Sequence, residues 1–250
     1  MSLPPDAGRC VDDVLRARRS VRAYLPRTLE RNTVLEILAV AASAPSNSNT
    51  QPWRVHVLAG APLKAFGEDL AMAFRCGDFA APSHFPDPLP QALCAHRADF
   101  AVRYYGALGI DRDDTAARAA QTERNFSFFG APVGLIFSID ARLGHHSWLD
   151  LGLYMQGVMI AAKSRGIDTC PQVSFAPFHA RIARHLRMES NELTVCGMAM
   201  GFGDPAAPAN GMAMPRQGVE AFVSDAGFDV SDLQADKTAA SQLAVQAQAE

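Results

Sequence analysis

Apolar and polar positions in the N-terminal part of the chain indicate helices. Residues 9–18 are predicted to form a short helix. A second helix is predicted to begin at Thr33, which opens a Thr-x-x-Glu capping box with Glu36, and its apolar positions continue until Pro45 stops it. A turn rich in Ser and Asn therefore follows directly after a helix.

Strand spacing begins after this turn. Residues 54–58 alternate in hydrophobicity, with Val55 and Val57 on one face. The apolar run 133–139 is typical of a buried strand, and so is the run 193–200. The pattern fits an antiparallel or mixed sheet.

The most apolar helix is predicted between these last two strands. Ser147 can cap it together with Asp150, and the helix continues to about Arg165, where Gly166 closes it. Its side chains are apolar on nearly every side, so the helix must be buried. It is either the central core helix alone or also part of a subunit interface, and the pattern does not separate the two.

The pattern is less regular between about residues 65 and 125. Prolines are frequent in its first half, and an aromatic, arginine-bearing stretch follows around Phe100. We expect one domain over residues 1–250, with the irregular segment as an excursion that could cover a site. The Ala/Gln-rich end of the chain, at about 235–250, is expected to be a frayed helix or disordered.

Composition narrows the classes of function. With 250 residues, 48% hydrophobic and 20% charged, the chain is ordinary globular material. No apolar stretch reaches the roughly 20 residues of a membrane-spanning helix, and no leader pattern is evident, so we expect a cytoplasmic protein without a membrane partner. A net charge of −3 provides no field for a polyanion, so nucleic acid is not expected as a partner.

Metal catalysis, thiol-based redox chemistry and hydrolase chemistry are also disfavoured. The five cysteines are odd in number and widely spaced, which indicates reduced thiols rather than zinc ligands. No Gly-x-Ser-x-Gly elbow occurs, and neither the pair His145 and His146 nor the pair His179 and His185 has the helical spacing of metal ligands. No metal site is predicted.

Two polar segments carry the candidate chemistry. Residues 18–22, Arg-Arg-Ser-Val-Arg, concentrate guanidinium groups beside a hydroxyl, which suits a bound phosphate, although a solvated basic helix end is the plainer interpretation. Residues 44–53 pack amides and hydroxyls into a turn, where Asn and Ser are also common for local reasons. Together the two segments suit a phosphorylated cofactor with polar edges.

The pair of segments resembles the signature of the nitroreductase family of flavin enzymes, Arg-Arg-Ser-Val/Ile-Arg followed by a Ser/Asn-rich turn ending in Gln-Pro-Trp. The resemblance implies an α+β nitroreductase-like fold, with a mostly antiparallel or mixed central sheet flanked by helices. It also implies an intertwined homodimer with two flavins at its interface. FMN is the implied cofactor and NADPH or NADH the electron donor, for the ping-pong reduction of nitroaromatics, quinones or similar electrophilic small molecules.

Within this resemblance, the arginine-rich segment and a C-terminal arginine in a Pro-x-Asn-x5-Arg pattern bind the flavin phosphate. The Ser/Asn turn approaches the flavin from the neighbouring subunit, and a Cys-Pro-Gln segment lies over the isoalloxazine. No residue is expected to act as a catalytic acid or base. The implied cofactor-binding residues are Arg18, Arg19, Ser20, Arg22, Pro45, Ser46, Asn47, Gln51, Cys170, Pro171, Gln172 and Arg216.

Alternatives stay open at this point. The same fold supports reductive dehalogenation, enone reduction and flavin fragmentation, which differ mainly in the covering segment at about 65–125. A non-catalytic flavin-binding protein would carry the same two segments. If no flavin binds, the basic cluster is a surface patch.

Overall fold

The computed structural model describes residues 7–80 and 88–224, with side chains from Cys10 onwards. By internal contacts the chain divides into a unit of residues 1–212 and a unit of residues 213–250. The predicted C-terminal tail at about 235–250 lies outside the described residues. The strands of the first unit are β1 (Arg54–Ala59), β2 (Val133–Asp140), β3 (Asp168–Gln172) and β4 (Glu192–Gly201). Its helices are α1 (Ala7–Ala17), α2 (Arg31–Ala41), α3 (Gly60–Cys76), α4 (Gln91–Ala107), α5 (Thr115–Glu123), α6 (His145–Lys163), α7 (His179–Leu186) and α8 (Pro208–Gly211).

The strands form one antiparallel sheet in the order β1-β2-β4-β3. Every residue from Val133 to Ile139 is buried, as the continuous apolar run predicts for a central strand. Ser20 adds an isolated parallel bridge to Thr169 at the edge strand β3. The predicted α+β architecture and the predicted strands are therefore confirmed.

The two faces of the sheet bury different cores. Leu135 and Phe137 pack with α2 and α6 on one face. Ile136 points to the other face, where six phenylalanines from α3, from residues 126–129 and from the segment that follows β3 pack together. Those phenylalanines are Phe66, Phe126, Phe128, Phe129, Phe175 and Phe178. The Phe175 ring packs so closely on the sheet that position 197 of β4 has to be glycine. A Cβ at Gly197 would lie 2.2 Å from this ring.

Two helix starts differ from the sequence prediction. The capping box at Thr33 is wrong, because α2 begins at Arg31 after Glu30 and no side chain caps it. The cap at Ser147 is wrong too, since α6 begins at His145 without a side-chain cap. The described part of the segment that looks irregular between about 65 and 125 is largely helical, and Pro62 lies in the first turn of α3, where its missing N–H is not needed.

The helix α6 is buried on one side only. Leu151 and Val158 face the core, whereas Trp148, Leu149 and Leu153 are 44%, 63% and 41% exposed. Within a single chain α6 is therefore not enclosed on every side, and its part in a subunit interface stays a prediction. No helix in the part of the chain that the structure describes is long and apolar enough to cross a membrane.

Candidate functional site

The arginine-rich segment runs as extended backbone along the edge of β3. Ser20 bridges Thr169, and the Val21 N–H donates to the Thr169 carbonyl oxygen at 3.1 Å. Side chains alternate along extended backbone. Arg18 directly follows α1 and is still bonded to its last turn, where its N–H donates to the Val14 carbonyl oxygen at 3.0 Å, and the residues that follow are divided between two faces.

Ser20 and Arg22 share the face that meets Cys170, and the Arg18 charge also acts on this thiol. Burial raises the pKa of the Cys170 thiol, and the opposing influences are the Arg22 charge, a hydrogen bond with Ser20 and the Arg18 charge. The thiol is 1% exposed, so it stays protonated and inert. The structure thus brings together three predicted phosphate residues and one residue of the predicted Cys-Pro-Gln segment.

Arg19 and Val21 lie on the opposite face. They line a cavity of about 420 Å³ that also includes Lys163, Asp168 and Asp204. Lys163 pairs with Asp168 at 2.9 Å, and Arg19 Nη1 donates to the Asn210 carbonyl oxygen at 2.9 Å. The cavity therefore holds two basic and two acidic side chains, so it provides no net positive charge for an anion on this side.

Asn210 holds the backbone of the arginine-rich segment. Its Oδ1 accepts from the Arg22 N–H at 2.8 Å, and its Nδ2 donates to the carbonyl oxygens of Ala23 and Asp204 at 2.8 and 2.9 Å. In the sequence, Asn210 stands out only as the Asn of the Pro-x-Asn-x5-Arg pattern that ends at Arg216. No local signal reveals a contact between residues 188 positions apart.

Helix α4 covers Arg22. The Arg22 guanidinium carbon lies 5.5 Å from the Phe100 ring centroid and 5.0 Å from that of Tyr104. The Tyr104 hydroxyl accepts from Gln121 Nε2 at 2.6 Å, and both of these side chains are buried. Part of the segment predicted to cover a site therefore contacts one of the predicted phosphate residues.

The Ser/Asn turn is tightly wound. Ser46 Oγ accepts from the Gln51 N–H at 3.0 Å, and both carboxylate oxygens of Asp150 lie 3.2 Å from the Asn47 N–H. Ser48, Asn49 and Gln51 have φ values of 51°, 56° and 47°. Left-handed backbone at residues other than glycine costs energy and is common at functional sites. Pro45 and Asn47 are exposed beside this turn.

Trp53, at the end of the turn, is partly buried and packs against the core. Its ring stacks on Tyr154 of α6, with centroids 4.7 Å apart and planes 7° from parallel. The stack and the Asp150 contact both fix the turn to the N-terminal half of α6. Its position three residues after Ser147 predicts that Asp150 helps to cap α6. Instead, its carboxylate accepts a hydrogen bond from the Asn47 N–H, 103 positions earlier.

The two predicted segments do not meet within one chain. The Ser/Asn turn is fixed at Asp150, whereas the arginine-rich segment lies beside Asp168, which pairs with Lys163 at the far end of α6. Thirteen residues of α-helix between Asp150 and Lys163 span about 20 Å.

Gln172 ends β3 and is fixed from the side of α5. Its Nε2 donates to the Asn125 carbonyl oxygen at 2.9 Å, and the residue is only 3% exposed. Gln172 Oε1 is buried with no hydrogen-bond partner among the described residues. Pro171 is half-buried on this edge strand, where a residue without an N–H is tolerated.

Two further parts of the prediction concern Arg216 and metals. Arg216 belongs to the second unit, where its Nη1 donates to the carbonyl oxygens of Met214 and Pro215, each at 3.1 Å. Its role toward a phosphate stays a prediction.

Across residues 7–80 and 88–224, no group of three or more His, Cys, Asp or Glu is placed to hold a metal ion.

Comparison with known proteins gives consistent matches. The sequence model of the Nitroreductase family matches residues 15–202. The chain is 44% identical over 218 residues to the 4-nitrobenzoate reductase of Pseudomonas putida, covering 87% of this chain and 96% of the relative. It is 36% identical over 217 residues to the nitrobenzene nitroreductase of Ectopseudomonas oleovorans, covering 86% and 96%.

A solved structure agrees with these matches. The FMN-dependent nitroreductase NfnB from Mycobacterium smegmatis, determined in complex with NADPH, superposes with a TM-score of 0.85 at 31% identity, covering 89% of this chain and all of that one. The predicted fold is confirmed, and the chain belongs to the nitroreductase family.

Proposed function

We propose that this protein is an FMN-dependent NAD(P)H oxidoreductase that reduces nitroaromatic compounds. The observation that carries the proposal is the convergence of Arg18, Ser20 and Arg22 around Cys170, where the chain leaves α1 and runs along the edge of β3. Planar guanidinium groups and a hydroxyl are suitable donors for the phosphate that distinguishes FMN from riboflavin. The names of the relatives, all of them nitroreductases or nitrobenzoate reductases, support the reaction.

The donor set of the chain fits FMN at two places. Arg18, Ser20 and Arg22 would hold the phosphate, and the β3 edge at Pro171 and Gln172 would lie against the ring system. Bound FMN supplies the redox chemistry, accepting a hydride from NADPH or NADH and delivering reducing equivalents to the acceptor. The protein's own contribution is placement and exclusion of water, so no side chain needs to act as an acid or base.

The functional form that we propose is a homodimer in which each site takes residues from both subunits. The Ser/Asn turn and the arginine-rich segment are separated by α6 within one chain, so a second copy would have to supply the turn. The exposed apolar side chains of α6, Trp148, Leu149 and Leu153, provide a surface for such a contact. This arrangement matches the alternative, left open by the sequence, that α6 also lies in a subunit interface.

A mixing experiment tests this arrangement. Arg18→Ala disables the phosphate segment, and Asn47→Trp blocks the turn, so each variant alone is expected to retain little FMN. In a randomly reassociated one-to-one mixture, about a quarter of the sites join an intact segment to an intact turn if the site is shared. No recovery of bound FMN is expected if each chain builds its own site, and that result would overturn the shared site.

For the substrate, we propose a nitroaromatic acid of the nitrobenzoate type. Two relatives, 44% and 34% identical, are named 4-nitrobenzoate reductases, while those named for nitrobenzene and chloronitrobenzene are 36% and 37% identical.

A cytoplasmic location is in keeping with the free thiols of the five cysteines.

Steady-state oxidation of NADPH and NADH with matched acceptors tests the reaction. We expect a higher kcat/KM for 4-nitrobenzoate than for nitrobenzene and loss of the nitro group in the product. Turnover of a quinone but of neither nitroaromatic would favour another reaction on the same fold. Bound FMN without any oxidation of NADPH or NADH would indicate a flavin-binding protein.

A further inference from the structure

We infer that Phe100 and Tyr104 of α4 are positioning residues for Arg22, and that through Arg22 they set how tightly the protein holds the cofactor phosphate. We call these two side chains the aromatic shelf. The inference rests on the proposed function, because it assigns Arg22 to the phosphate of FMN. It gives the covering helix a specific task that neither the sequence motif nor the family comparison assigns.

The geometry places the guanidinium against both rings. Its central carbon lies 5.0 Å from the Tyr104 centroid and 5.5 Å from the Phe100 centroid, and the two rings stack with centroids 5.4 Å apart. The residues are four apart on one helix, so their side chains share a face. The shelf therefore presents one continuous aromatic surface to Arg22.

Two hydrogen bonds also hold Arg22 in place. Its N–H donates to Asn210 Oδ1 at 2.8 Å, and its Nη1 reaches the Ser20 carbonyl oxygen at 3.3 Å. The guanidinium charge acts on the Cys170 thiol, so the group lies on the same face as Ser20. The shelf adds the contact that restricts where the end of this long side chain can go.

An aromatic ring covers the flat face of a guanidinium and leaves its in-plane N–H donors available to a phosphate. The ring also replaces water at that face, which strengthens the remaining charge interactions. Contacts of this kind correspond to roughly a 2- to 30-fold change in affinity.

Tyr104 itself is fixed by the core. Gln121 donates to the Tyr104 hydroxyl at 2.6 Å, and Tyr104 is 7% exposed. Arg118 lies over Tyr105 with its guanidinium carbon 4.0 Å from the ring centroid, which gives a second link between α5 and α4. The shelf is thus a rigid surface rather than a loose side-chain contact.

The experiment measures the dissociation constants of FMN and riboflavin for apoprotein variants by flavin fluorescence. Riboflavin shares the ring and ribityl chain of FMN but lacks the phosphate. Tyr104→Leu removes the ring, and Tyr104→Phe is the matched control that keeps the ring and loses only the hydroxyl. Phe100→Leu is a second variant at a half-buried position, in case Tyr104→Leu fails to fold.

We expect Tyr104→Leu and Phe100→Leu to weaken FMN binding by roughly 2- to 30-fold, with riboflavin binding changed by less than about twofold. Tyr104→Phe should bind FMN like the wild type. In an Arg22→Ala background, Tyr104→Leu should have no further effect, because the shelf acts through Arg22.

Equal losses of FMN and riboflavin affinity, or an undiminished effect of Tyr104→Leu in the Arg22→Ala background, would overturn the inference and leave the shelf as ordinary packing. A wild-type protein that prefers FMN to riboflavin would still support the proposed function in that case. A wild-type protein that binds neither flavin would overturn the proposed function and the inference with it.

Discussion

The two adjacent arginines of the motif should differ sharply in their effect on FMN binding. The charges of Arg18 and Arg22 and the hydroxyl of Ser20 act on the same Cys170 thiol, whereas Arg19 is exposed and lines the cavity that contains Asp168 and Asp204. A hydrogen bond to a charged group contributes about 1.5–3 kcal/mol, so Arg18→Ala should weaken FMN binding roughly 10- to 150-fold. An exposed charge that does not touch the ligand contributes about 0–1 kcal/mol, so Arg19→Ala should cost less than about fivefold.

Titration of each apoprotein variant with FMN, followed by flavin fluorescence, measures this difference. Riboflavin is the control ligand, because neither substitution should matter when the phosphate is missing. Thermal melting of both variants checks that the fold is intact. A loss of FMN affinity in Arg19→Ala equal to or larger than that in Arg18→Ala would refute the assignment of the two faces.

Two predictions concern stability. Burial raises the pKa of Glu192, but hydrogen bonds from Ser138 and His56 lower it by more, so its folded-state pKa lies below the ordinary value of 4.5. The resulting stabilisation is present above that value and is lost as the pH falls through the folded-state pKa, so the difference in Tm between wild type and Glu192→Gln should shrink in acid. Gly67→Ala should destabilise the protein by about 1–3 kcal/mol, because its Cβ would lie 2.5 Å from the Phe126 carbonyl oxygen. Gly106→Ala, also in a helix but with open space around it, should be neutral or stabilising by up to about 1 kcal/mol, and equal chemical-denaturation curves for the two variants would contradict the packing argument.

Sequence predicted the features that depend on local pattern. The buried strand β2 follows from a run of seven residues that are apolar or small, including Ser138, and the arginine-rich segment follows from its charge. Helices α3 to α5 are not predicted, because the segment between about 65 and 125 has no regular apolar pattern. Pro62 fits the first turn of α3, where its missing N–H is not needed.

Features that depend on distant partners could not be read from the sequence. Asp150 has the spacing of a helix cap, but it accepts from the Asn47 N–H instead. Asn210 and Tyr104 contact Arg22 across long sequence separations, so neither carries a local signal. The alternation that places Ser20 and Arg22 on one face and Val21 on the other appears only once the segment is known to be extended along β3.

We expect the chain to bind FMN and to use it to pass electrons from a nicotinamide to a nitroaromatic. The most direct test is anaerobic stopped-flow absorbance of the purified holoprotein. NADPH or NADH should bleach the FMN spectrum, and 4-nitrobenzoate added afterwards should restore it without NADPH or NADH present. A protein that stays colourless after incubation with FMN, or one whose reduced flavin is not reoxidised by any nitroaromatic, would contradict the account.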